Sequence, residues 1–213
     1  MTPWVNSLLV AVLLLNFVTL GASRIRTVIR AVALQGILLG AMPLLVHGRW
    51  QAAGFFLSLA AILIKGAAIP ALLGRALSAA AIKREVEPLI GFLPSVLLGA
   101  LATGIGIGFA SRLPLAPGHR GSLLVPAAFA TAIVGLILLV TRRKAISQVQ
   151  GYLVLENGIL IFGLLLLEAM PFLVELGALL DLFVGVFVLR IIIHHINREF
   201  ASLDTRKLAT LRE

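Results

Sequence analysis

The sequence predicts an all-α, polytopic membrane protein of about seven transmembrane helices, with the amino end outside and the carboxyl end in the cytoplasm. Three observations predict it. The chain of 213 residues is 60% apolar and only 13% charged, about half the roughly 25% charged share of a soluble domain. Its apolar residues gather in runs that can cross a hydrocarbon core of about 30 Å, which takes about 20 residues at a rise of 1.5 Å each. Most of its Lys and Arg residues lie between those runs, in alternate linkers.

The runs fall at 4–21, 27–46, 51–73, 89–110, 122–141, 149–168 and 173–193. The first lacks the positively charged start of a secretory signal and is followed by Arg24, Arg26 and Arg30, so it reads as a retained helix. Gly48 follows the second run, Pro88 opens the fourth, and Pro114, Pro117 and Gly118 separate the fourth from the fifth. Gly104, Gly106 and Gly108 resemble a fragment of a phosphate loop, but they stand in an apolar run and predict a close-packing helix face. No linker is long enough to fold by itself. The chain therefore divides into a three-helix segment at 1–85, a connecting helix and loop at 86–121, and a three-helix segment with a cytoplasmic tail at 122–213.

Orientation follows from the basic residues. Odd-numbered linkers and the tail hold Arg24, Arg26, Arg30, Arg75, Lys83, Arg84, Arg142, Arg143, Lys144, Arg190, Arg198, Arg206, Lys207 and Arg212, whereas even-numbered linkers hold only Arg49, Arg112 and Arg120. Translocation disfavours basic residues, so the richer side is the cytoplasmic one. The net charge of +9 thus reflects membrane topology and not a nucleic-acid partner. With no cysteine in the chain, disulfides, thiolate-held metals and cysteine nucleophiles are excluded, and any redox centre belongs to a partner.

Three ionisable residues lie well inside the apolar runs: Lys65, Glu156 and Asp181. A Lys or Asp at the centre of a membrane helix costs about 2.5 to 3.5 kcal/mol, so such residues are paired, hydrated or functional. From the cytoplasmic ends of their runs, Lys65 and Glu156 are expected roughly 12 Å deep and Asp181 roughly 18 Å deep. All three fall in a band at mid-membrane where a lateral proton path would run. The chemistry suits such a path: apolar surroundings favour a neutral carboxyl, a neighbouring ammonium favours the carboxylate, and moving one charge shifts its neighbour's proton affinity. Gln35 and Asn157 are neutral groups that would organise water, with Gln148 and Gln150 available nearby. Pro70 removes a backbone donor five residues after Lys65, freeing the Gly66 carbonyl and predicting a locally opened helix. The competing reading makes the three charges helix-to-helix glue that moves no proton. His194 and His195 are adjacent on a helix and point about 100° apart, a poor metal pair. The chain is expected to carry no catalytic or metal site of its own.

The stretch Arg142-Arg143-Lys144, then Gly151-Tyr152-Leu153-Val154-Leu155-Glu156-Asn157, then Leu180-Asp181-Leu182-Phe183-Val184-Gly185 resembles the three-helix K-type subunit of respiratory complex I and its relatives in cation/proton antiporters. Gly151, Asn157 and Gly185 match that family in place. Asp181 stands where its third-helix glutamate is expected, and Leu153 where its second-helix glutamate is expected, with Glu156 three positions on. The whole chain, with its amino-terminal half, Lys65 before Pro70, and Glu156-Asn157-Gly158, resembles the hydrogenase-4 component E family. That resemblance implies a non-catalytic subunit in the cytoplasmic membrane of a bacterium or archaeon, within a complex I-related, membrane-bound hydrogenase. It implies antiporter-like and quinone-site-type membrane partners, and peripheral subunits that carry a nickel-iron centre and iron-sulfur clusters. Glu156 and Asp181 would be proton-accepting carboxylates, Lys65 their modulator or a further site, and Gln35 and Asn157 organisers of water. A subunit of a multisubunit cation/proton antiporter and a purely structural membrane adaptor remain open, as does the choice between proton and sodium.

Overall fold

A computed structural model of the chain describes residues 3–46, 52–79, 86, 88–114 and 121–166. Helix α1 spans Pro3–Gly21, α2 Ile25–Val46, α3 Ala52–Leu63, α4 Ile69–Ala79, α5 Phe92–Ala110, α6 Leu124–Thr141 and α7 Ala145–Leu166. A π-helical turn, Ile64–Ala68, joins α3 to α4 so that the two make one continuous span. The described residues thus contain six helical spans long and apolar enough to cross a bilayer, and the chain is a multi-pass membrane protein. The seventh predicted run, Asp181 within it, the histidine pair and the basic tail lie outside the described residues.

The spans follow the apolar runs, with two informative differences. Helix α7 begins at Ala145, four residues before its predicted start, because Ser147, Gln148 and Gln150 dilute hydropathy without breaking a helix. The third span runs on to Ala79, past Arg75, whose exposed side chain is tolerated near a helix end. Each difference places the buried charges deeper than expected. Glu156 is eleven residues into α7, roughly 17 Å at 1.5 Å per residue, and so stands near the middle of its helix.

Alternation of the helices brings the basic linkers together at one end. There the Val86 amide donates to Ser23 O at 2.8 Å and the Leu89 amide to Thr141 O at 2.7 Å, and Pro88 makes an isolated antiparallel bridge with Arg142. Arg24, Arg26, Arg30, Arg75 and Arg143 are exposed at this basic end. At the far end the Leu123 amide donates to Asn6 Oδ1 at 3.2 Å, and exposed Arg112 lies beyond α5.

The core comes in two pieces. One apolar cluster, with Leu20, Ile25, Ile29, Val32, Leu73, Leu138 and Val154 among its members, fills the basic half. A second, with Val5, Leu9, Leu39, Met42, Leu124, Ile161 and Leu164, fills the far half. Small residues let the backbones approach, as lipid-soluble helices require when no hydrophobic force drives them together. A Cβ on Gly158 would collide with the Ala132 backbone, and one on Gly135 with that of Leu155; α6 and α7 accordingly form the most extensive helix contact. Of the three glycines expected to pack closely in α5, Gly106 does so, with Pro126 O 3.1 Å from where its Cβ would stand, while Gly104 and Gly108 meet nothing within 4 Å; Gly99, on the same helix, packs against Leu20.

Candidate functional site

Between the two apolar clusters lies a buried polar layer. Its centre is an ion pair: Lys65 Nζ stands 3.2 Å from Glu156 Oε1, with side chains only 7% and 8% exposed. Lys65 sits on the π-helical turn, where the Ile69 amide donates to Ile64 O, five residues back. Pro70 has no amide to offer either Gly66 in an α-helix or Lys65 in a π-turn, so the widened turn occupies the point where the ladder already lacks a donor. This is the local opening that Lys65 and Pro70 predict. Helix α2 makes room for the lysine with Gly36: a Cβ there would stand 2.7 Å from Lys65 Cβ.

The pair is desolvated, and removing one partner from such a pair typically costs about 3 to 5 kcal/mol because the other charge is left buried without its counter-charge. Proximity is the structural feature that both the relay reading and the glue reading require. Geometry adds the setting. Asn157, next to Glu156, is 1% exposed, and its Oδ1 has no hydrogen-bond partner among the described residues. Gln35, next to Gly36, is fully buried and donates through Nε2 to Asn16 Oδ1 at 2.8 Å and to Val12 O at 3.2 Å. Asn16 Nδ2 in turn donates to Thr131 Oγ1 at 2.8 Å. A directed chain of donors therefore crosses α2, α1 and α6 at the level of the ion pair, and hydrogen bonds aligned in this way polarise one another.

Among the predicted residues, Lys65, Glu156, Gln35 and Asn157 all belong to this layer; Asp181 lies outside the described residues. Asn16 and Thr131 escaped the sequence reading. Asn16 carried a signal, being an amide in the midst of an apolar run. Thr131 carried little, because a threonine in a membrane helix commonly satisfies itself on its own backbone.

A second buried cation, Arg142, lies at the basic end. It is 2% exposed, donates through Nη2 to Leu20 O at 2.9 Å, and stacks with its guanidinium 5.5 Å from the Phe92 ring centroid. Desolvation by burial draws its pKa below that of a free arginine. The sequence marks it as one member of a topological basic cluster; the structure makes it a clasp that joins the ends of α1, α5 and α6. Among the described residues no group of three or more His, Cys, Asp and Glu side chains could hold a metal ion.

Comparison with known proteins adds the following. The chain is 36% identical over 193 residues to the uncharacterized protein Rv0085 of Mycobacterium tuberculosis, covering 89% of this chain and 87% of that protein. It is 33% identical over 101 residues to hydrogenase-4 component E of Escherichia coli K12 and, to the same extent, of Shigella flexneri, covering 47% of this chain and 46% of theirs. The match thus spans about half the length of component E. No protein-family model matches, and no solved structure matches.

Proposed function

We propose that this chain, which belongs to the family of the mycobacterial protein Rv0085, is a non-catalytic membrane subunit of a complex I-related hydrogenase-type complex and passes protons at mid-membrane. The setting rests on the partial likeness to hydrogenase-4 component E and on the multi-pass architecture. Nickel-iron and iron-sulfur chemistry would then belong to peripheral partners, with antiporter-like and quinone-site-type subunits beside this one in a cytoplasmic membrane. The basic end would face the cytoplasm, in keeping with the bias against translocated Lys and Arg.

The observation that carries the proton role is the Lys65–Glu156 pair at 3.2 Å, centred between two apolar clusters and joined to a polar layer. A proton that reaches Glu156 neutralises its carboxylate and leaves the Lys65 ammonium without its counter-charge. The ammonium then gives up its own proton or draws a negative group elsewhere in the layer, and either response sends the change sideways. Asp181 would extend the path. Sodium is the other ion such a carboxylate could serve, and a multisubunit cation/proton antiporter is the other setting.

A structural adaptor is the second reading, favoured by the satisfied geometry of the pair and by the close glycine packing around it. Glu156→Gln separates the two, since glutamine preserves shape and hydrogen bonding but binds no proton at this position. In the purified complex reconstituted into liposomes, the relay predicts intact assembly with loss of ion translocation. Unchanged translocation in an assembled complex would reject it. Replacement of sodium by choline in the same assay decides which ion moves.

A further inference from the structure

One stripe of the buried face of α7 carries polar residues on the basic side of the ion pair and only apolar ones on the other side. Ser147, Gln150, Val154 and Asn157 succeed one another in steps of three and four, which places them on one stripe of the helix, and all are buried. That stripe faces α2: the Gln150 amide reaches Ile25 O at 3.5 Å, the outer limit of a hydrogen bond. Ser147 Oγ and Asn157 Oδ1 have no partner among the described residues, and neither has Gln35 Oε1 on α2. Beyond Asn157 the same stripe continues with Ile161 and Leu164, packed into the apolar cluster of the far half together with Leu39 and Met42 of α2. Arg142 points elsewhere, toward Leu20 and Phe92.

Folded proteins satisfy their buried polar groups, and where the chain supplies no partner, ordered water does. A water bridges two to four such groups, and here buried polar residues recur along the stripe from Ser147 to Asn157, roughly 15 Å of helix. Along this stripe Val154 alone stands between Gln150 and Asn157, with buried Leu153 beside it on α7.

We infer that the α2–α7 seam is a one-sided water path, running from the basic end past Ser147 and Gln150 to Glu156 and closed beyond Asn157 by the far apolar cluster. It rests on the reading that Glu156 exchanges a proton, and it assigns the side from which that proton comes. Val154 and Leu153, with Val28, Ile29 and Val32 of α2 in the same apolar cluster, would be the dry stretch that water must cross. Protons hop along hydrogen-bonded water, so this apolar stretch gates the path and passes a proton only when water bridges it.

The absence of cysteine makes a direct test simple. Single replacements Ser147→Cys, Gln150→Cys, Ile161→Cys and Leu164→Cys in the full complex, in sealed vesicles of either orientation, are exposed to a charged, membrane-impermeant methanethiosulfonate. A thiol in water forms the reactive thiolate and one in a dry core does not. Ser147→Cys and Gln150→Cys should label from the basic side at least about tenfold faster than the far pair. Labelling of neither, or labelling of the far pair from the opposite side, overturns the path. A second measurement needs no substitution along the seam. Deuterium exchange of the Glu156 carboxyl, its infrared band identified by loss in Glu156→Gln, should follow a solvent jump on the basic side and not on the other. Exchange from the far side alone, or equally from both, contradicts the inference. Failure of the proton reading is distinct: translocation would persist in Glu156→Gln whatever the seam admits.

Discussion

The basic and far halves of the bundle are built from the same residue types, Leu, Val, Ile and Ala, yet they handle buried polarity differently. The basic half contains Arg142, Ser147 and Gln150 inside an apolar cluster, all of them at most 3% exposed. The far half has near its rim the Asn6 bond to the Leu123 amide and buried Ser122, and along α7 it is apolar. Neither half resembles the layer between them, where an ion pair and a directed amide chain take the place of hydrocarbon. Apolar clusters tolerate repacking and set where the helices sit; the polar layer tolerates little, because the Lys65–Glu156 pair and the Gln35–Asn16–Thr131 chain each take partners from other helices. That contrast explains why the layer is the place to look for function.

The comparison is broken most severely at the pair. Lys65→Leu or Glu156→Leu should each destabilise the folded chain by about 3 to 5 kcal/mol, the usual cost of a stranded buried charge, read as loss of resistance to denaturing detergent. The double replacement should recover most of that loss, since exchanging a buried pair for apolar groups is often neutral or stabilising. Additive losses would mean that the two charges do not meet.

Next comes the packing that forces α6 and α7 together. Gly158→Val should cost about 1 to 3 kcal/mol by overpacking, because its side chain would meet the Ala132 backbone. Gly104→Val, whose Cβ meets nothing within 4 Å, should leave stability within about 0.5 kcal/mol.

At the basic end, Arg142→Ala should lose about 1 to 3 kcal/mol through its bond to Leu20 O and its stacking on Phe92. Exposed Arg143→Ala should change stability by no more than about 0.5 kcal/mol. Both lie in the cluster that sets topology, so equal effects would show that Arg142 is a topological signal and no clasp. Thr131→Val should lose about 1 kcal/mol with the Asn16 bond, measurable in the same detergent titration.

Much of this was legible in the sequence, for reasons that differ by residue. Lys65 and Glu156 stand out because charge inside an apolar run is costly wherever the helix packs, and Gln35 and Asn157 stand out in the same way, though less strongly. The π-turn was legible through Pro70, whose missing amide is a local fact. What stayed hidden depends on which helices touch. Asn16 and Thr131 are 115 positions apart, and nothing in either run says that they share a bond. Arg142 looks like its neighbours Arg143 and Lys144 until the end of α1 is laid against it. The start of α7 was misplaced because hydropathy sees Ser147 and Gln150 as linker residues, whereas a helix buried on that face accepts them.

The proposed proton role requires that the Lys65–Glu156 pair works and does not merely hold. Ion translocation by the reconstituted complex with both Lys65→Leu and Glu156→Leu tests it most directly, because this variant is expected to keep the fold that either single replacement weakens. The account predicts a complex that assembles and resists detergent as the native one does but moves no protons. Translocation at the native rate in that assembled complex would contradict it.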